Sequence, residues 1–109
     1  AERKRHRQTV TQLRRTSRSV NRVDHALNIA AATYGVPASR LRRVATCEST
    51  LNPSAKNGRY LGLFQFGTPL WRTTPYRSFS RTDPYAAAAA AAWAFKRGLA
   101  SHWPVCGRR

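Results

Sequence analysis

Carboxylates are scarce in this chain. Its 109 residues include only Glu2, Asp24, Glu48 and Asp83 on the acidic side, against 20 lysines and arginines, for a formal net charge of +16. Cysteine is rarer still. Cys47 and Cys106 stand far apart, and His6, His25 and His102 are equally scattered, so no zinc spacing arises and neither a metal nor another cofactor is expected. No apolar run reaches the roughly 18 residues that a membrane span requires. The alanine-rich stretch after Pro84 comes nearest, but alanine is weakly hydrophobic and Lys96-Arg97 closes it. No signal peptide is legible at Ala1-Glu2-Arg3-Lys4. Helix-turn-helix, RNA-binding and zinc-finger patterns are missing too, which argues against the common nucleic-acid readers.

What is present fits a single domain with one modest core. An apolar content of 41% and an aromatic content of 10% suit a folded chain rather than a disordered one. Arginine supplies 17 of the 20 cations, and its fork matches carboxylate and phosphate groups better than lysine does. Attraction to polyanions follows: nucleic acid, an anionic membrane face or an acidic wall polymer. Residues 1–22 hold Arg3, Lys4, Arg5, Arg7, Arg14, Arg15, Arg18 and Arg22 against Glu2, and read as a basic arm or linker. Residues 23–109 remain strongly basic without it.

That remainder reads as mainly α, a small helical domain with one short β-hairpin. Asp24 is placed to cap a helix over 25–34 that stops at Gly35. After Val36-Pro37-Ala38-Ser39, a second helix sets Leu41, Val44, Ala45 and Glu48 at i, i+3, i+4 and i+7, so Glu48 ends an apolar face. Desolvation there raises a carboxyl pKa, as a proton donor at neutral pH requires. Asn52-Pro53 breaks the helix, Asn57-Gly58 signals a hairpin, and 59–66 reads as the returning strand. Gly62 within that strand points to a close backbone approach, such as a ligand's. Thr68-Pro69 caps a short helix carrying Trp71. Asp83-Pro84 opens another that carries Trp93 and Phe95, which read as core. The cysteines read as two buried thiols in a reducing compartment, or as one disulfide in an oxidising one.

Two overlapping motifs carry a resemblance. Glu48-Ser49-Thr50-Leu51-Asn52-Pro53-Ser54-Ala55, followed by Gly62-Leu63-Phe64-Gln65, resembles the signature of the soluble lytic transglycosylases. Cys47-Glu48-Ser49, Asn57-Gly58, Leu63-Phe64-Gln65-Phe66, Trp71 and Trp103-Pro104-Val105-Cys106 are similar to the resuscitation-promoting factor domain. Both families are lysozyme-like, and together the motifs cover about 24–107. The chain departs from the second pattern at Thr50 and Leu51, where glycines are usual, and the transglycosylases' later tyrosine motifs have only Tyr76 and Tyr85 as candidates.

The resemblance implies an α+β lysozyme-like fold over 23–109, with the hairpin beside the catalytic helix. It implies Glu48 as catalytic acid and a Cys47–Cys106 disulfide. Ser49, Asn57, Tyr60, Gly62, Leu63, Gln65 and Trp71 become the expected substrate-binding residues. The implied substrate is the peptidoglycan glycan strand, with anionic envelope polymers drawn to the basic surface. The implied setting is a secreted cell-wall enzyme or a phage particle, the protein being a monomer unless built into such a particle. One acid suffices where the substrate supplies the second function, as in lytic transglycosylases, whereas ordinary glycosidic hydrolysis uses two carboxyl groups. The alternatives are a hydrolytic lysozyme-type muramidase, and a non-catalytic cationic protein that binds envelope polymers or nucleic acid; only the last is indifferent to losing Glu48.

Overall fold

Helix α1, Val20–Tyr34, opens the described residues. The computed structural model describes residues 20–108, so the expected basic arm lies outside them except for 20–22, which belong to α1. Asp24 therefore does not cap a helix. It sits in the second turn of α1, and its carboxylate pairs with the Arg42 guanidinium of the next helix. The α1 stop is as expected: Gly35 takes a left-handed φ of 68° and the Val36 amide reaches back to the Ala31 carbonyl at 3.1 Å.

Helix α2, Ala38–Ser49, follows, with Leu41, Val44 and Ala45 buried. A two-stranded antiparallel hairpin comes next, β1 Lys56–Asn57 and β2 Tyr60–Leu61, with Lys56 opposite Leu61 and Asn57 opposite Tyr60. Its central pair is Gly58-Arg59, one residue beyond the expected Asn57-Gly58. The strand is also shorter than the expected 59–66. It ends at Leu61, and 62–65 form a tight turn closed by two bonds between Leu61 and Phe66, at 3.1 and 3.2 Å. The reason is burial: Leu63, Phe64 and Phe66 are each 0–1% exposed, and a strand's alternation would turn Leu63 away from the core if it buried Phe64.

Helix α3, Thr68–Thr73, starts from Gly67 rather than Thr68 as its N-cap and carries the buried Trp71. Helix α4, Pro84–Lys96, is capped as its sequence dictates, the Asp83 carboxylate accepting from the Tyr85 and Ala86 amides. Its alanines are buried almost all round, which lets it pack against α1 through Val23, Ala26, Leu27 and Ala30. Two 3-10 turns, Ala100–His102 and Cys106–Arg108, close the described residues.

The core closes around an aromatic group. Phe64, Phe66, Trp71, Phe95 and Trp103 meet edge to face, with centroids 4.9–6.5 Å apart. Phe95 is core as expected, but Trp93 is only half-buried, with Arg97 stacked 5.0 Å from its ring centroid. Architecture thus agrees with the expected small, mainly α fold bearing one short hairpin.

Candidate active site

Glu48 is the penultimate residue of α2, where the apolar face ends, and its side chain is half-buried. Burial raises its pKa above the ordinary 4.5. Among the described residues it has no cationic partner within ion-pair distance. The other two described carboxylates are committed elsewhere, Asp24 to Arg42 and Asp83 to the α4 amides.

Ser49 anchors the site rather than facing a ligand. Its buried hydroxyl lies 2.7 Å from the Leu63 carbonyl and 3.0 Å from that of Ala45, and accepts from the Asn52 amide at 3.2 Å. The end of α2 is thereby fixed to the 62–65 turn. Beyond Ser49 the backbone turns sharply, with Thr50 at φ 56° and Leu51 at φ 61°. The remaining non-glycine residue with positive φ among those described is Gln65, at 54°. Two directly follow Ser49 and the third lies in the turn bonded to it, and only dense support from neighbours holds such conformations.

Gln65 supplies much of that support. Its amide nitrogen donates to the carbonyls of Ala55 (3.0 Å) and Gly62 (2.8 Å), and its oxygen accepts from Asn57 Nδ2 at 2.9 Å. Asn57 and Gln65 are thus brought together as expected, but as a staple across the hairpin. Tyr60 is 49% exposed, with its ring against Gly67, and is the site residue best placed to meet a ligand.

Three other expectations are corrected by burial. Leu63 is fully enclosed. Trp71 is 5% exposed, and its indole donates to the Phe79 carbonyl at 3.1 Å, so it is a core residue. At Gly62 the close approach comes from the chain itself: φ is 91°, and a Cβ there would stand 2.1 Å from the Arg81 carbonyl oxygen. A bulkier residue is excluded by packing, without a ligand.

Comparison with family models, curated proteins and solved structures finds no match.

Cys47, directly before Glu48, is joined to Cys106 in a disulfide, with Cα atoms 5.7 Å apart. The chain end is held from a second side by Trp103, whose indole donates to the Phe64 carbonyl at 2.8 Å. Two supports escape sequence reasoning. The Arg81 guanidinium donates to the carbonyls of Phe66 (2.7 Å) and Arg59 (3.0 Å), and one arginine among 17 gives no signal for that role. The Tyr76 hydroxyl lies 2.5 Å from that of Tyr34, and its pKa is pushed up to about 12 by burial and then by that bond. Tyr85 bonds instead to His25, at 2.9 Å. Among the described residues no cluster of three His, Cys, Asp or Glu side chains can hold a metal, and no helix is long and apolar enough to cross a membrane.

Proposed function

We propose that this protein cleaves the glycan strands of peptidoglycan at the β-1,4 bond between N-acetylmuramic acid and N-acetylglucosamine, by the non-hydrolytic route of the lytic transglycosylases it resembles. The observation that carries the reading is the state of the carboxylates. Glu48 is the one described acid that is neither paired nor capping, and burial favours its protonated form.

In this reaction Glu48 gives its proton to the bridging oxygen as the bond from that oxygen to C1 of the muramic sugar breaks. The N-acetyl group of the sugar stabilises the electron-poor C1. The sugar's own 6-hydroxyl then bonds to C1, and the Glu48 carboxylate takes the hydroxyl proton, regenerating the acid and leaving a 1,6-anhydro product. No second carboxylate is needed, whereas a hydrolase of the two-acid kind requires one. The basic surface supplies affinity for anionic envelope polymers, and that affinity weakens with salt.

Mass spectrometry of purified peptidoglycan after incubation with the protein tests this. Anhydro-muropeptides are expected, and Glu48→Gln should abolish them while Asp83→Asn, still able to cap α4, should not. Products with ordinary reducing ends, together with loss of activity in a stable Asp83→Asn protein, identify a two-carboxylate hydrolase instead. Full function in Glu48→Gln identifies a non-catalytic polymer binder.

A further inference from the structure

Two grooves meet beside α3. One, of about 240 Å³, has Arg59 and Tyr60 along it. The other, of about 600 Å³, has Trp93 and Arg97. Pro69, Leu70 and His102 line both, so the two adjoin along one trough, and Gln65 lines the smaller of them. We infer that this trough binds a carboxylate-bearing peptide, the stem peptide attached to the glycan strand; the source of the peptide, though not the chemistry of the trough, rests on the function proposed above.

The charge of the walls argues for an anionic occupant. Arg59 stands at one end and Arg97 at the other, and neither has a carboxylate partner among the described residues. Arg97 is also held in place. Its guanidinium rests over the Trp93 ring, so less side-chain freedom is lost when it forks a carboxylate. The same stacking argues against a sugar at that end, because it covers a face of the indole that a pyranose ring would use. Between the arginines Pro69 and Leu70 give the wall an apolar stretch beside His102, which suits short aliphatic side chains better than phosphates. A peptide alternating small apolar side chains with carboxylates matches both features.

The three indole N–H groups make the test local. That of Trp71 is bonded to the Phe79 carbonyl, outside both grooves, and serves as the internal control; that of Trp103 is bonded to the Phe64 carbonyl beside the smaller groove, while Trp93 faces the trough. The full chain, labelled with 15N and with its Trp93 signal assigned through Trp93→Phe, is titrated with acetyl-Ala-Glu-Ala and separately with acetyl-Ala-Gln-Ala amide. The acidic peptide should move the Trp93 signal and bind about tenfold more tightly than the neutral one, since charge-assisted bonds are the stronger kind. Arg97→Gln, which keeps an apolar stem beside Trp93, should lose about that tenfold preference. Glu48→Gln should bind the acidic peptide as the parent does, so this result does not depend on cleavage. Equal binding of the two peptides overturns the inference. So does a Trp93 shift produced by an N-acetylglucosamine tetramer or a short oligonucleotide but not by the acidic peptide. Peptide binding without anhydro products leaves the trough standing and removes the proposed reaction; anhydro products without peptide binding do the reverse.

Discussion

The Ser49 hydroxyl meets the Leu63 carbonyl oxygen at 2.7 Å, and this one bond fixes the end of α2 to the turn that carries Gln65. Ser49→Ala leaves a carbonyl of a fully buried residue without that donor, at a cost of about 1–3 kcal/mol. Thermal denaturation should register a midpoint lower by ~4–8 °C for each kcal/mol in a domain of this size. An unchanged midpoint would mean that the carbonyl has another donor.

Glu48→Gln should separate stability from catalysis. The folded state holds the Glu48 proton to higher pH than the unfolded chain, whose carboxyl titrates near 4.5. The stabilisation is full below that value and is lost as pH rises through the raised folded value, because above 4.5 ionisation favours the unfolded chain. The glutamine variant should therefore be more stable than the parent at neutral pH, with the difference shrinking as pH falls toward 4.5. Urea denaturation across a pH series reads this directly. Cleavage by the variant should fall by about 100-fold or more, and cleavage by the parent should decline as pH rises above the raised value. A variant less stable than the parent at pH 7 would reveal a partner that stabilises the charge.

Gly62→Ala meets two penalties at once. A positive φ near 91° is costly for a side-chain-bearing residue, and the new Cβ lies 2.1 Å from a backbone oxygen. Strain and overpacking each contribute roughly 1–3 kcal/mol. Chemical denaturation should show a midpoint far below that of the parent, and Gly58→Ala, with open space around its Cβ, should cost clearly less.

Replacing both cysteines by serine opens a long loop. In the chain-entropy account, closing a loop of this length stabilises the fold by about 4 kcal/mol. The double variant should lose stability of that order in denaturant titration, and the parent should lose a similar amount under a strong reductant. Equal stability in oxidised and reduced parent protein would contradict the role given to the bond.

Where local chemistry decides, the sequence was readable. Asp83-Pro84 caps α4 because an aspartate accepts the first free amides and proline already has the helical φ. Gly35 ends α1 because the left-handed turn there suits glycine. The Glu48 position followed from helical spacing alone. Asp24 misled because Arg42, distant in sequence, gives its carboxylate a tertiary partner inside a helix. The 59–66 strand misled because three bulky side chains, Leu63, Phe64 and Phe66, are all buried by folding the backbone back at Gly62 and Gln65. Around the site, motif matching located Ser49, Gln65 and Trp71 but not what they do. Their roles are set by carbonyls at Leu63, Ala55, Gly62 and Phe79, which no spacing rule connects to them.

The Cys47–Cys106 bond also imposes an order on manufacture. Cys47 emerges from the ribosome long before Cys106, and so does the turn that Trp103 braces from the far side. A nascent chain therefore carries Glu48 on a helix whose last turn has neither its covalent clamp nor its aromatic backing. Both arrive only with residues 103–106, and the covalent one only where an oxidant is present. Assembly of the acid's surroundings is thus postponed until residues 103–106 have been made, and its covalent part until the two thiols meet an oxidant.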